Sequence, residues 1–483
     1  MEDPISPDEL NSELTGLNKG DKERKKKQII IGAALGGVLL LLVLIIIIVV
    51  STSSSKDGDK TPSKEEDSGD DVTPTLPVIG EINCLYDIQT TSQNTKLLSD
   101  EFVKNSDFDI YIENKRIKYS KEYKFEKTGN HNIQIKLYNG INMDYMFKGI
   151  TELISVEMKS DENCEILSMI STFENCENLE KFNIIGFNGD KLKSMKKLFY
   201  KSSLNSYNFN SFNTINLEDI SYMFSYTSIT EFSLNGLITN KVTNMSRLFG
   251  DCFSLQSIDF TGFDTKNVKD MSYMFYCCSA IKNIDLTGFD TSQVTTMSNM
   301  FQDCISLAEL KINNIDTSKV EDMSYMFDCC YVLDELDLSS FDTGNVKNMS
   351  NTFHFCYSLT SFNLNNFNTK NVESTSGLFS SCGRLMELDI SNFDLGNNKD
   401  MSQMFYNCHS LTNIKLGNIN TENVENMEGL FAHSNLLTSI DLSNFNTKNV
   451  LDMSNMFQDC SGLKEIDLSN FDTMKVQNMS RMF

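Results

Sequence analysis

Apolar residues return at fixed intervals through most of the chain. The phrase MSYMF at 271–275 comes back as MSNMF at 297–301, and its closing aromatic recurs as Phe147, Phe173, Phe199, Phe224, Phe249, Phe275, Phe301, Phe327, Phe353, Phe379, Phe405, Phe431, Phe457 and Phe483. The steps are 26 residues, except for two of 25 that end at Phe224 and Phe249. Such self-similarity predicts a stacked-repeat architecture. Six residues after the nine landmarks from Phe249 to Phe457 stand Leu255, Ile281, Leu307, Leu333, Leu359, Leu385, Leu411, Leu437 and Leu463, and apolar pairs such as Ile284 and Leu286 follow at nine and eleven. Apolar, polar, apolar is the period of a strand with one buried face. A second column, Phe263, Phe289, Phe341, Phe367, Phe393, Phe445 and Phe471 with Ile315 and Ile419, marks an inward-facing return path, continued by Val268, Val294, Val320 and Val346. A single coil of this kind cannot close a core, so the coils are expected to bury their interiors against one another.

Turn chemistry fits the same picture. Asp264, Asp290, Asp316, Asp342 and Asp472 each precede a Thr, with Asn368, Asn420 and Asn446 in the same role. Asp and Asn both accept a backbone N–H and hold a turn, whereas neutral Asn in three coils argues against a calcium ladder. Ser272, Ser298, Ser324, Ser350 and Ser454 are expected to cap the start of a short helical turn.

Upstream of the repeats the pattern changes twice. Ile29 to Val50 are 22 uncharged, mostly apolar residues, long enough for a transmembrane helix. The preceding KERKKK predicts residues 1–28 as a cytoplasmic tail and the repeats as extracellular, a single-pass type II protein of the cell membrane. Gly32 and Gly36 form a GxxxG pair that offers a homodimer contact between such helices. Residues 51–77 read as a disordered tether. Residues 78–140 alternate apolar and polar and predict a small β-rich module that caps the first coil, and 141–483 the solenoid, about 13 repeats. The chain stops on Phe483 in mid-repeat, so a fragment, or an end that meets a partner, is expected.

Composition narrows the function. A net charge of −24 argues against nucleic acid as a partner. Nine of the 13 cysteines, Cys176, Cys252, Cys278, Cys304, Cys330, Cys356, Cys382, Cys408 and Cys460, stand three residues after a landmark, and Ser202, Thr227 and Ser434 fill the gaps. The exchange of small residues suggests a narrow buried slot holding reduced thiols, with Cys277 and Cys329 beside it the candidates for another fate. A line of sulfurs does not make a zinc tetrahedron. Three of the four histidines, His354, His409 and His433, fall out of register with one another. No catalytic, phosphate-binding or metal-binding motif stands out, so neither catalysis nor a cofactor is expected.

The outward strand face remains. Asp259, Asp285, Asp337, Asp389, Asp441 and Asp467, with Glu335, Glu387 and Glu465, form a candidate ligand-binding ledge for a basic partner, interrupted by Lys311 and Lys415. Asn244, Asn348 and Asn478 lie in N-M-S sequons and are candidate glycosylation sites, although the motif belongs to the repeat.

Taken together, MSxMFxxCxSLxxIDLSxFDTxxV resembles the BspA-like class of leucine-rich repeats, over about Ile141 to Phe483 and most strongly from Leu248 onward. The resemblance implies a right-handed parallel-β solenoid and a role in adhesion or recognition at a cell surface, with no catalytic residues to carry over. The expected function is noncatalytic binding of an extracellular protein or glycan on another cell or matrix. The alternative is a structural surface coat assembling through the repeats.

Overall fold

A computed structural model describes residues 76–483, Glu162 excepted. The β-rich module supplies β1 (Gly80–Ile88), β2 (Thr95–Lys96), β3 (Phe108–Ile112), β4 (Lys115–Ile117), β5 (Glu122–Tyr123) and β6 (Gly129–Leu137). The solenoid begins with β7 (Ile141–Asn142), β8 (Leu153–Lys159), β9 (Ile166–Ser168), β10 (Lys181–Ile185) and β11 (Ser206–Asn208). In β1, Ile82, Cys84, Tyr86 and Ile88 point inward at every second position and are buried, as a half-buried strand requires. This strand pairs antiparallel with β6 on one side and β8 on the other, while β8, β10 and β11 run parallel. The seven-stranded sheet β11-β10-β8-β1-β6-β3-β4 therefore passes from the module into the first coils. An open edge at β8 would be a template for unwanted pairing, and β1 covers it.

Further along, strands shrink to two or three residues: β12 (Glu231–Phe232), β13 (Ser257–Ile258), β14 (Asn283–Asp285), β15 (Glu309–Lys311), β16 (Glu387–Asp389) and β17 (Asn413–Lys415). Each of β14 to β17 shows one buried residue between two exposed ones. Pairing between neighbouring coils is parallel and in register, Asp285 opposite Lys311 and Asp389 opposite Lys415. Inside, the landmark phenylalanines form an unbroken stack, with centroids 5.6 Å apart for Phe275 and Phe301 and 5.7 Å for Phe301 and Phe327.

Two side-chain ladders tie coil to coil. Each buried Thr of the Asp-Thr pair donates its hydroxyl to the carbonyl of the next coil's Asp or Asn and accepts that residue's N–H, as in Thr265 with Asp290 at 3.0 and 2.9 Å and Thr343 with Asn368 at 3.0 and 2.8 Å. The Asp side chain does what the sequence suggests, Oδ1 of Asp290 accepting the N–H of Ser292 and Oδ1 of Asn368 that of Lys370. Asparagines form the second ladder: Nδ2 of Asn345, Asn371, Asn397 and Asn423 reaches the carbonyl of Ser318, Gly344, Lys370 and Gly396 in the preceding coil.

Two expectations are corrected. The fold-class expectation joined a transmembrane helix to the solenoid, but the described chain is all-β, contains no helix, and so has none long and apolar enough to cross a membrane. The expected span at 29–50, with Gly32 and Gly36, the tail at 1–28 and nearly all of the tether at 51–77, lies outside the described residues. The MSxMF segment is also not a helical turn. Met271, Tyr273, Phe275 and Cys277 send their N–H groups to Thr296, Ser298, Met300 and Gln302 of the next coil, while Met274 and Tyr276 bond three residues back. The alternation needs a left-handed residue in each short turn, and Tyr273 and Cys277 supply it at φ 59° and 56°. Ser272 therefore caps nothing; its N–H and hydroxyl both go to Oδ1 of Asp270.

Candidate functional site

The ledge exists as a surface. Asp259, Asp285, Glu335, Asp337, Glu387, Asp389, Asp441, Glu465 and Asp467 are all exposed. Each aspartate has one oxygen fixed by the N–H two residues on, Thr261, Thr287, Ser339, Ser391, Ser443 and Ser469, at 2.9 to 3.1 Å. These bonds, first the side-chain hydroxyl and then the backbone, hold all six carboxyls below the usual carboxylate range. The aspartates recur along this exposed face at intervals of whole coils. Two positions are neutralised internally, Asp389 by Lys415 at 3.2 Å and Asp285 by Lys311 at 3.7 Å. The ledge can therefore offer fixed anionic acceptors to a cationic partner, strongest at the four aspartates that no lysine pairs, Asp259, Asp337, Asp441 and Asp467.

The sequon asparagines occupy a different column. Asn244, Asn348 and Asn478 are half-buried, and their Oδ1 atoms accept the N–H of Ser246, Ser350 and Ser480. Asn478 also donates Nδ2 to Asp452, and the intervening Met245 and Met349 are buried.

The cysteine column proves more than a slot. The thirteen cysteines are free, and the thiols of Cys252, Cys278, Cys304, Cys330 and Cys408 each donate to the carbonyl of the landmark Phe one coil back, at 3.0 to 3.3 Å. Ser434 makes the same bond to Phe405 at 2.9 Å. Cys, Ser and Thr exchange there because each carries a donor as well as little bulk. Burial pushes the thiols up, Cys408 to about 12. Of the outlying pair, Cys277 approaches Asp303 Oδ2 at 3.6 Å and Cys329 lies 3.2 Å from Asp328 Oδ1, which also meets Nδ1 of His354 at 2.8 Å. Among the described residues no cluster of His, Cys, Asp and Glu is arranged to hold a metal ion.

One surface escaped the sequence reading. The left-handed positions of the MSxMF turn and the residue after the landmark vary from coil to coil while everything around them repeats. They carry Lys197, Tyr200, Lys201, Tyr222, Tyr226, Arg247, Tyr273 and Tyr276 on consecutive coils. Beneath them Asp251, 4% exposed, sits with Oδ2 3.9 Å from Nε of Arg247, and neither atom makes a hydrogen bond. Burial raises the Asp251 carboxyl from an ordinary 3.8 to about 6, against the pull of Arg247, Tyr226 and Lys201 and with a push from Asp303. The signal was available: inside a repeat, the columns that do not repeat are the ones the fold leaves free. On another flank, Glu321, Lys347, Glu373 and Lys399 alternate beside the asparagine ladder in a shallow polar groove, and Lys347 meets Glu321 at 2.6 Å.

With this geometry established, comparison places the chain. A family model described as "Mycoplasma protein of unknown function, DUF285" matches residues 120–236, 205–309, 297–416 and 399–483, without a gap between them and over well more than half of the chain. Among solved structures, the crystal structure of a leucine-rich repeat protein from Eubacterium ventriosum matches at 16% identity and a TM-score of 0.34, covering 65% of this chain and 92% of that one. No curated protein matches.

Proposed function

The chain belongs to the DUF285 family, and on that premise we propose that it is a noncatalytic recognition protein whose solenoid is displayed outside a cell and binds a protein or glycan on another cell or matrix. What carries the reading is the division of labour in each coil. Inward residues and both ladders are consumed by stacking, whereas the ledge presents aspartates whose geometry is fixed and whose charge, Asp285 and Asp389 apart, is left for a partner, as on extended solenoid binding surfaces. Rigid acceptors cost little ordering entropy when a partner arrives.

The test removes charge and keeps the turns. In the full chain Asp337→Asn, Asp389→Asn and Asp441→Asn together retain the acceptor that holds each turn, so the fold should survive. Saturable binding to cells by the parent chain, weakened about tenfold or more in the triple variant, supports recognition through the ledge. Assembly of the purified chain into sheets, with no saturable cell binding, would replace it by the surface-coat reading.

A further inference from the structure

We infer that the coil carrying Leu395 and Asn398 is a hinge built into the solenoid, a stretch that opens locally on one flank while the coils on either side stay closed. Three neighbouring positions depart there from columns that otherwise repeat. Leu395 stands in the column of Thr343, Thr369, Thr421 and Thr447, and Asn398 in that of Val346, Val372, Val424 and Val450. Thr375, on the coil before, stands in that of Met349 and Met401. All three residues are fully buried. The larger Leu395 offsets the bulk lost at the other two, so what changes is the hydrogen bonding.

The threonine ladder runs from Thr214 to Thr447 and, among the described coils, breaks once. Thr369 gives its hydroxyl to the carbonyl of Asp394 at 2.9 Å and takes that residue's N–H at 2.8 Å, and Thr421 does the same for Asn446 at 3.1 and 2.8 Å. Between them Leu395 has no hydroxyl, so Asn420 receives neither bond. Asn398 adds a second deficit. Its Nδ2 donates to Oγ1 of Thr375 at 3.3 Å, but its buried Oδ1 has no partner. An acceptor in that state destabilises the closed form and regains its hydrogen bonds once water enters. The other flanks of the same coil keep their links. Asn423 donates to the Gly396 carbonyl at 2.6 Å, Ile390 to that of Lys415 at 3.0 Å, and the rings of Phe405 and Phe431 lie 5.3 Å apart. A stack loosened on one flank and tied on the other bends there. The strands that present the ledge stay paired through the motion, Asp389 opposite Lys415, and the hinge does not depend on what the ledge binds.

Hydrogen exchange of the full chain, read by mass spectrometry and corrected for local sequence, tests this. The segments 342–349 and 446–453 are the equivalents of 394–401 two coils away on either side. Segment 394–401 is expected to exchange about thirtyfold faster than both, the factor that the two missing hydrogen bonds give. Thr375→Met, Leu395→Thr and Asn398→Val together install the residues of the neighbouring coils and should slow the segment to their rate. Equal rates for the three segments in the parent chain overturn the inference, and that comparison decides the matter even where the triple variant fails to fold. A folded triple variant that still exchanges fast at 394–401 overturns it as well.

Discussion

The coils from Phe275 to Phe457 and those from Phe173 to Phe249 are built on one plan and execute it differently. In the first set the landmark rings stack almost flat, 5.6 Å and 2° between Phe327 and Phe353, and 5.7 Å and 8° between Phe301 and Phe327. In the second, where two coils are one residue short, Phe199 and Phe224 tilt by 31° and Phe224 and Phe249 lie 6.2 Å apart. The donor column falters at the same place. Ser202 and Thr227 bond the carbonyl of their own coil's Phe199 and Phe224 instead of reaching back. The irregular coils also bear most of the basic and aromatic patch, which ends at Tyr273 and Tyr276 in the first regular coil. Deviation from the repeat thus coincides with side chains the fold does not require, as expected when a stack is stabilised by its regular majority and differentiated in its exceptions.

Removing one ring from each set should widen the difference most. Phe327→Ala takes a fully buried ring from the flat stack and is expected to cost about 3–5 kcal/mol. Phe224→Ala should cost more, because that ring is equally buried and, besides its two stack neighbours, meets Tyr207 at 4.9 Å and Phe232 at 5.5 Å. Denaturant midpoints of the two variants check the order, and equal costs would mean that ring geometry contributes little beyond burial.

Much of this architecture was legible from residues alone. Leu307, Phe289 and Val294 sort by register into inward columns, and Asp exchanging with Asn before Thr gives away the turn. Other features were hidden for physical reasons. A left-handed backbone at Tyr273 or Cys277 leaves no mark in a side chain that is not glycine. The acceptor for the Cys330 thiol is a main-chain oxygen of Phe301, 29 residues earlier, so spacing among cysteines does not point to it, and side-chain size alone implies only a steric slot. The expected helical turn failed because its hydrogen bonds run between coils. Of the candidate site, the ledge was visible as an outward stripe, but the turn-face patch was masked by a chain-wide charge that says nothing of local sign.

A second contrast concerns the donor column. Cys330→Ala takes one of two donors from the buried Phe301 carbonyl, which keeps the Cys304 N–H, and is expected to destabilise by about 1 kcal/mol, while Cys330→Ser should lose less than half as much, since Ser434 already occupies the same column. Thermal melts of the pair read this out, and identical melts would return the column to a purely steric role.

The smallest effect lies in the irregular coils. The folded Asp251 carboxyl keeps its proton up to about 6, against an ordinary 3.8. This group therefore favours the folded state at low pH, and that advantage is lost as pH rises from about 4 to about 6. Asp251→Asn, neutral throughout and suited to a φ of 62°, should raise stability by about 1 kcal/mol at pH 7 and hardly at all at pH 4. A gain of equal size at both values would assign the effect to backbone preference instead of charge.

The sulfur column gives the stack a built-in set of clocks. Only a thiolate reacts readily with an alkylating reagent, and each buried thiol is screened until its own coil loosens. The labelling rate at successive cysteines, resolved by mass spectrometry, would time local opening at intervals of one coil and show whether the rod frays from an end or parts first at its short coils.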